Sequence, residues 1–219
     1  MYPGWVERFS TFVEHFSGRE ERGSQPNEEP IPANGLIDGV TGLRRLLDAF
    51  QGRLLDGGIY RFMDSTLFEA ANEFVRDAFP AWSDHAAPFS CDWLGRVFAI
   101  DGSGRTGADA ERGVLLLDPG TGDILRVPAS VTEFHNQLLL TDRETALEES
   151  LWTAWSSQNR ALEFDEVAGL RVPSFLGGQL VLDNLEIQSA VVYWGLAGQL
   201  IARTRHLPEG TPITGVQIE

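Results

Sequence analysis

The sequence predicts an α+β chain, mainly an antiparallel sheet flanked by helices, with two subdomains packed into one compact body. Three observations lead there. Amphipathic helical stretches and short alternating stretches follow each other in mixed runs, whereas a parallel sheet would need strict strand–helix alternation. Val114 to Asp118 and Asp123 to Val127 are apolar runs on either side of Pro119-Gly120-Thr121-Gly122, a hairpin signal. The length of 219 residues, 42% of them hydrophobic, is enough for one large core or two small ones.

Taken in order, Trp5, Phe9, Phe12, Val13 and Phe16 recur three or four apart and form one helical face, so residues 1–18 read as an N-terminal helix. Residues 19–35 follow as an acidic connector. Pro26, Pro30 and Pro32 with the glutamates around them make a compact helix or strand unfavourable, so an extended path is expected. A helix over 42–55 would bury Leu43, Leu46, Leu47, Phe50 and Leu54 and stop at Gly57-Gly58. Ile59 to Met63 reads as a strand. Thr66 and Glu69 suggest a capping box for a helix that Pro80 closes. Pro88 to Asp101 alternates as one or two strands with Phe89, Cys91 and Trp93 on one face, and 102–113 reads as a polar loop.

After the hairpin, Ser130 with Glu133 and Thr141 with Glu144 mark two helix starts, the second carrying Leu147, Leu151, Trp152 and Trp155. Asp183 with Glu186 then suggests a cap for a helix over 185–202. That stretch is apolar nearly all round, so a buried helix is expected, the alternative being a strand with a bulge at Gly195. The subdomain division falls at 36–135 and 140–219.

The charge balance excludes several functions. Against 32 acidic residues stand 17 basic ones, all of them Arg, for a net charge of −15. Such a surface repels nucleic-acid phosphates and anionic lipid, so neither direct nucleic-acid binding nor membrane binding is expected. It attracts a basic protein and speeds the encounter. A chain without Lys has no Schiff-base amine and no P-loop lysine. The single Cys91 leaves no internal disulfide, and no secretory signal is visible, so a cytoplasmic location is expected.

Catalytic and metal patterns are not found. His15, His85, His135 and His206 lie at least fifty residues apart, with no HExxH, CxxC or EF-hand spacing. Asp118 to Asp123 resembles half a calcium loop and reads better as a turn. No GxSxG elbow exists, and Cys91 reads as a small buried hydrophobe. The expectation is a protein that is not an enzyme, with no catalytic residue, metal or cofactor. An alternative is a small-molecule or nucleotide enzyme with a site between the subdomains near Asp92, Arg96 and His135.

The residues also carry a resemblance. Asp56-Gly57-Gly58-Ile59-Tyr60-Arg61-Phe62, Ala78-Phe79-Pro80, Asp92-Trp93-Leu94-Gly95-Arg96, Leu117-Asp118-Pro119-Gly120-Thr121-Gly122 and Phe134-His135 resemble the GAD-like domain of bacterial immunity proteins. Downstream, Val172-Pro173-Ser174-Phe175-Leu176-Gly177-Gly178, Asp183-Asn184-Leu185-Glu186 and Tyr193-Trp194-Gly195-Leu196-Ala197-Gly198-Gln199-Leu200 resemble its C-terminal companion domain. The pair is similar to immunity proteins encoded beside DNA-cleaving toxins of the type VI secretion system, over residues 40–205. The resemblance implies a bacterial cytoplasmic protein that binds its cognate basic DNase toxin and occupies or distorts the toxin's cationic DNA-binding face. No catalytic residue transfers with these motifs. Candidate contact residues are Glu28 and Glu29 in the connector, Phe164, Asp165 and Glu166, and Asp183 and Glu186, the last two competing with a capping role. Trp93, Gly95, Gly177, Gly178 and Trp194 are expected to be core and turn positions.

Overall fold

A computed structural model describes residues 7–22, 29–106, 111–208 and Thr211. Helix α1 (Ser10–Phe16) turns Phe12 and Phe16 inward, beside buried Phe9. It is clipped to the body by Asn136, whose side chain accepts from the Phe12 amide at 3.2 Å and donates to the Arg8 carbonyl at 2.8 Å. Trp5 lies outside the described residues. The start of the connector is not free. Strand β1 (Glu20–Arg22) pairs antiparallel with β2 (Arg53–Leu55) and becomes the sheet edge.

Asn34 caps the short helix α2 (Gly35–Asp38), accepting from the amides of Leu36 and Ile37. Helix α3 (Leu43–Phe50) is shorter than its periodicity suggests. Gly52 adopts φ +70°, which ends the helical path, and beyond it Leu54 and Leu55 are buried in β2. Strand β3 (Tyr60–Phe62) follows. Helix α4 (Ser65–Ala78) is capped by Asp64 on the Leu67 amide rather than by Thr66, because Asp64 stands where the chain enters the first turn.

Strands β4 (Ala86–Asp92), β5 (Val97–Thr106), β6 (Glu111–Leu117) and β7 (Ile124–Ser130) complete a seven-stranded antiparallel meander in sequence order. Most of the polar loop expected at 102–113 is therefore strand. A register shift between Pro88 and Ser90 moves Phe89 to the face opposite Cys91. Phe89 joins the ring cluster of Phe134 and His135, whereas Cys91 lies opposite Arg61 in the register.

Ser130 and Glu133 form the expected capping box at α5 (Val131–Glu133). A π-helical segment (Phe134–Leu138) and α6 (Leu139–Thr141) continue it. The next expected helix is two helices, α7 (Arg143–Leu147) and α8 (Glu149–Ser156), because Glu148 takes the left-handed conformation at φ +54°. Residues 185–202 begin as a strand. Strand β8 (Glu166–Leu170) pairs antiparallel with β9 (Leu185–Ser189), and only then does α9 (Ala190–Thr204) start, with Ser189 as its N-cap. Asp183 lies in a short 3₁₀ turn before β9 and Glu186 lies within β9, so neither caps a helix.

The sheet is covered on both faces. Successive strand residues point to opposite sides, so Tyr60 and Phe62 join Phe9, Phe12, Phe89, Phe98, Phe134 and His135 in an aromatic layer under α1. Arg61 points the other way, toward the segment leading into β8. Helix α9 lies along α4, close enough that Gly198 faces Asp77 and any added Cβ would sit 3.2 Å from it. Arg205 then donates to the carbonyls of Asp77 and Ala78 at the α4 C-terminus. Buried apolar residues from Phe9 to Ile201 make one contiguous cluster. Among the described residues, no helix is long and apolar enough to cross a membrane.

Candidate interaction face

The β4–β5 turn, Asp92 to Arg96, fixes the position of the β8–β9 hairpin. The Ala168 amide donates to the Trp93 carbonyl at 2.7 Å, and the Trp194 indole donates to the Gly95 carbonyl at 2.7 Å. Gly95 sits at φ +79° with Tyr193 packed where a side chain would begin. Trp93, in contact with Trp152 and Trp155, donates its indole N–H to Leu147. The expected core and turn roles of Trp93, Gly95 and Trp194 hold.

Between β8 and β9 the chain makes a closed loop. Asn184 accepts from the Val172 amide and donates to the carbonyls of Val172 and Gln179. Gly177 turns at φ +92°, and a Cβ on Gly178 would overlap the Val172 carbonyl oxygen, so only glycine closes the loop this way. The Ser174 amide donates to Gly120, seating the loop on the β6–β7 turn. That turn is held by Asp118, whose carboxylate accepts from the amides of Gly120 and Thr121.

This loop, with the first turn of α9, carries five of the seven large exposed hydrophobics among the described residues. Among the described residues, Val172, Leu180, Val181, Val191 and Val192 are each between 39% and 55% exposed, and the other large exposed hydrophobics are Leu125 and Leu207. Leu180 and Val181 precede β9; Val191 and Val192 follow it. The expectation that α9 is buried all round fails at those two valines. The apolar circumference of 190–202 was the available signal, since a helix apolar on every side at a surface leaves one side uncovered.

Five of the seven candidate contact residues fall on this hairpin, at its two ends. Phe164 is buried in the core, so it is not a surface contact residue. Asp165 is exposed, and its carbonyl accepts from the Ala190 amide at 2.7 Å. Glu166 is gripped by both Arg160 nitrogens at 2.6 and 2.7 Å, which holds its carboxyl below the ordinary range. At the other end, about 13 Å along the strands at roughly 3.3 Å per residue, Glu186 pairs with Arg171 at 3.1 Å and Asp183 stands exposed. Among the described residues neither Asp165 nor Asp183 has an ion-pair partner. Glu29 is exposed on the connector, which Arg44 pins to α2 through Ile31, Pro32 and Asp38, and it is not part of the hairpin. Glu28 lies outside the described residues.

Asp92, Arg96 and His135 are buried and occupied by structural bonds. Asp92 accepts from the amides of Leu94 and Arg96 and from the Arg96 guanidinium at 2.6 Å, while Arg96 reaches on to the Ala146 carbonyl. His135 is in the aromatic layer. Its Nδ1 lies 2.7 Å from the Val131 carbonyl, which can only accept, so Nδ1 carries the proton. Burial pushes its pKa down to about 4 and pushes the Cys91 thiol up to about 12.

Since unfolded His titrates near 6.5, the neutral imidazole stabilises the fold fully above that pH. The contribution is lost as pH falls from 6.5 toward 4, by about 3 kcal/mol in all. His135→Phe removes this component. The unfolding free-energy difference between wild type and variant, followed from pH 7.5 to 4.5, is expected to shift by at least 1 kcal/mol toward the variant; a flat difference would refute it.

No protein-family model and no curated protein matches the chain. Among solved structures, the crystal structure of Atu4351 from Agrobacterium tumefaciens is similar to it, with a TM-score of 0.55 and 13% identity over 85% of this chain and 88% of that one. At that identity the likeness is one of fold.

Proposed function

We propose that this protein is an immunity protein that binds a cognate type VI secretion DNase toxin and neutralises it, with the β8–β9 hairpin and the 171–184 loop as the contact face. The observation that carries the reading is the exposed valines and leucine at both ends of the hairpin, beside Asp165 and Asp183, which have no ion-pair partner among the described residues, on a chain of net charge −15. A nuclease must hold polyanionic DNA and therefore presents cations, which carboxylates meet at the rim of an interface. Charge supplies the encounter rate. Affinity near 1 nM, about −12 kcal/mol, needs desolvated apolar contact as well, over about 800 Å² per partner. The aliphatic side chains of the loop supply that contact, and the Asn184 hydrogen bonds pre-order it.

The test is inhibition of DNA cleavage by the nuclease encoded beside this protein. Reversing both carboxylates (Asp165→Arg with Asp183→Arg) is expected to slow association about tenfold at low salt and far less at high salt. Val181→Asp is expected to speed dissociation. Inhibition and association unchanged by all three substitutions would remove the proposal.

A further inference from the structure

The outer edge of β9 is open, and four bonds at three residues of β8 establish which backbone groups it presents. On β8, the Glu166 amide donates to Glu163 and its carbonyl accepts from Arg61, the Ala168 amide donates to Trp93, and the Leu170 amide donates to the Tyr193 hydroxyl. All of these run away from β9. In an antiparallel pair, residues opposite one another either exchange both hydrogen bonds or make none. Their partners in the register are Ser189, Ile187 and Leu185. Those three therefore direct their backbone groups outward. The Leu185 amide is used by the Leu182 carbonyl. The Leu185 carbonyl, both Ile187 groups and the Ser189 amide remain, and among the described residues none of them meets a protein partner. The elements packed extensively against β9 are β8 and α9.

This is the surface that an added strand needs, and exposed edges of this kind are ordinarily blunted. At one end it is flanked by Val181 and Asp183, at the other by Val191, Val192 and Asp165. A second copy of the chain is the wrong occupant, since it would bring two bodies of −15 together. We infer that β9 recruits an extended cationic segment of the partner by strand addition, centred on Ile187, with basic side chains meeting Asp165 and Asp183 and apolar ones meeting the flanking valines. The sign of the partner's charge rests on the immunity reading; the open edge does not.

The probe is acetyl-(Arg-Val)₄-amide, titrated into the full chain by calorimetry. Binding is expected, together with at least tenfold slower hydrogen exchange at the Ile187 amide. A version N-methylated at every backbone nitrogen keeps the charge and loses the donors, and should bind at least tenfold more weakly. Acetyl-(Glu-Val)₄-amide should not bind. Ile187→Pro deletes the outward amide, a substitution edge strands accept, at the further cost of the partly buried isoleucine side chain, and should match the N-methyl result. If that variant fails to fold by circular dichroism, the N-methyl comparison decides. Equal binding of the methylated peptide, no binding of the parent peptide, or unaltered affinity in folded Ile187→Pro would overturn the inference. Full nuclease inhibition by folded Ile187→Pro would remove strand addition and leave the immunity reading in place. Peptide binding by a chain that inhibits no nuclease would do the reverse.

Discussion

Arg61→Met is expected to lower unfolding free energy by about 2–6 kcal/mol, the cost of orphaning two buried carbonyls. Arg61 is fully buried, and its guanidinium donates to the carbonyls of Glu163, Phe164, Glu166 and Gly58. Burial pushes its pKa down, against the pull of nearby Cys91, Asp92, Asp165 and Glu166. Methionine fills much of the volume and satisfies none of these acceptors. The Phe164 and Gly58 bonds are buried, and each orphaned buried acceptor costs about 1–3 kcal/mol. Arg61→Lys is expected to recover little, because one ammonium cannot span carbonyls on both sides of a planar fork. Urea unfolding gives the magnitude. Limited proteolysis should show new cleavage at 157–165, the segment Arg61 holds against the sheet. A loss below 1 kcal/mol with no new cleavage would show that water replaces the guanidinium there.

The same residue illustrates what a sequence displays and what it hides. Tyr60-Arg61-Phe62 reads correctly as a strand, because aromatic residues flanking one polar position fit a pleated surface. Nothing local reveals that the polar position is buried along with its neighbours, since three of its four acceptors lie more than a hundred residues away along the chain. Some local codes transferred and others did not: the Thr66 and Asp183 caps failed. The hairpin around Gly120, the Ser130–Glu133 capping box and the close glycine turn at Gly178 each depend on a few neighbouring residues. Leu185 to Ser189 misled for an equally physical reason. It alternates Leu, Glu, Ile, Gln and Ser at a strand period and runs directly into a helical stretch, so a window spanning both sees only a long apolar element. The candidate face was half legible. Asp183 and Glu186 were found through their acidity, but the open β9 edge beside them follows from pairing with β8, which tertiary hydrogen bonds decide.

Asp92→Ala is expected to cost about 3–5 kcal/mol, because it leaves the buried Arg96 cation with only the longer contact to Glu148, at 3.7 Å, in place of its hydrogen-bonded carboxylate. Asp92 accepts three hydrogen bonds within the turn, two of them from backbone amides that no other group reaches. The turn in turn holds α7 through Arg96 and Trp93, β8 through the Trp93 carbonyl, and α9 through the Gly95 carbonyl. Its loss should therefore loosen the C-terminal hairpin before the meander melts, with amide exchange rising first at Ala168. Arg96→Met added to Asp92→Ala removes the stranded cation. The double variant is expected to be more stable than Asp92→Ala alone, despite the orphaned Ala146 carbonyl, because a buried charge held only by the longer Glu148 contact costs more than one unpaired acceptor. Equilibrium unfolding of the wild type, both single variants and the double completes the cycle. If the double variant were the least stable of the four, Arg96 would be holding α7 in its own right and the ion pair would be secondary. If Asp92→Ala cost less than 1 kcal/mol, the turn would not be what positions the hairpin for its partner.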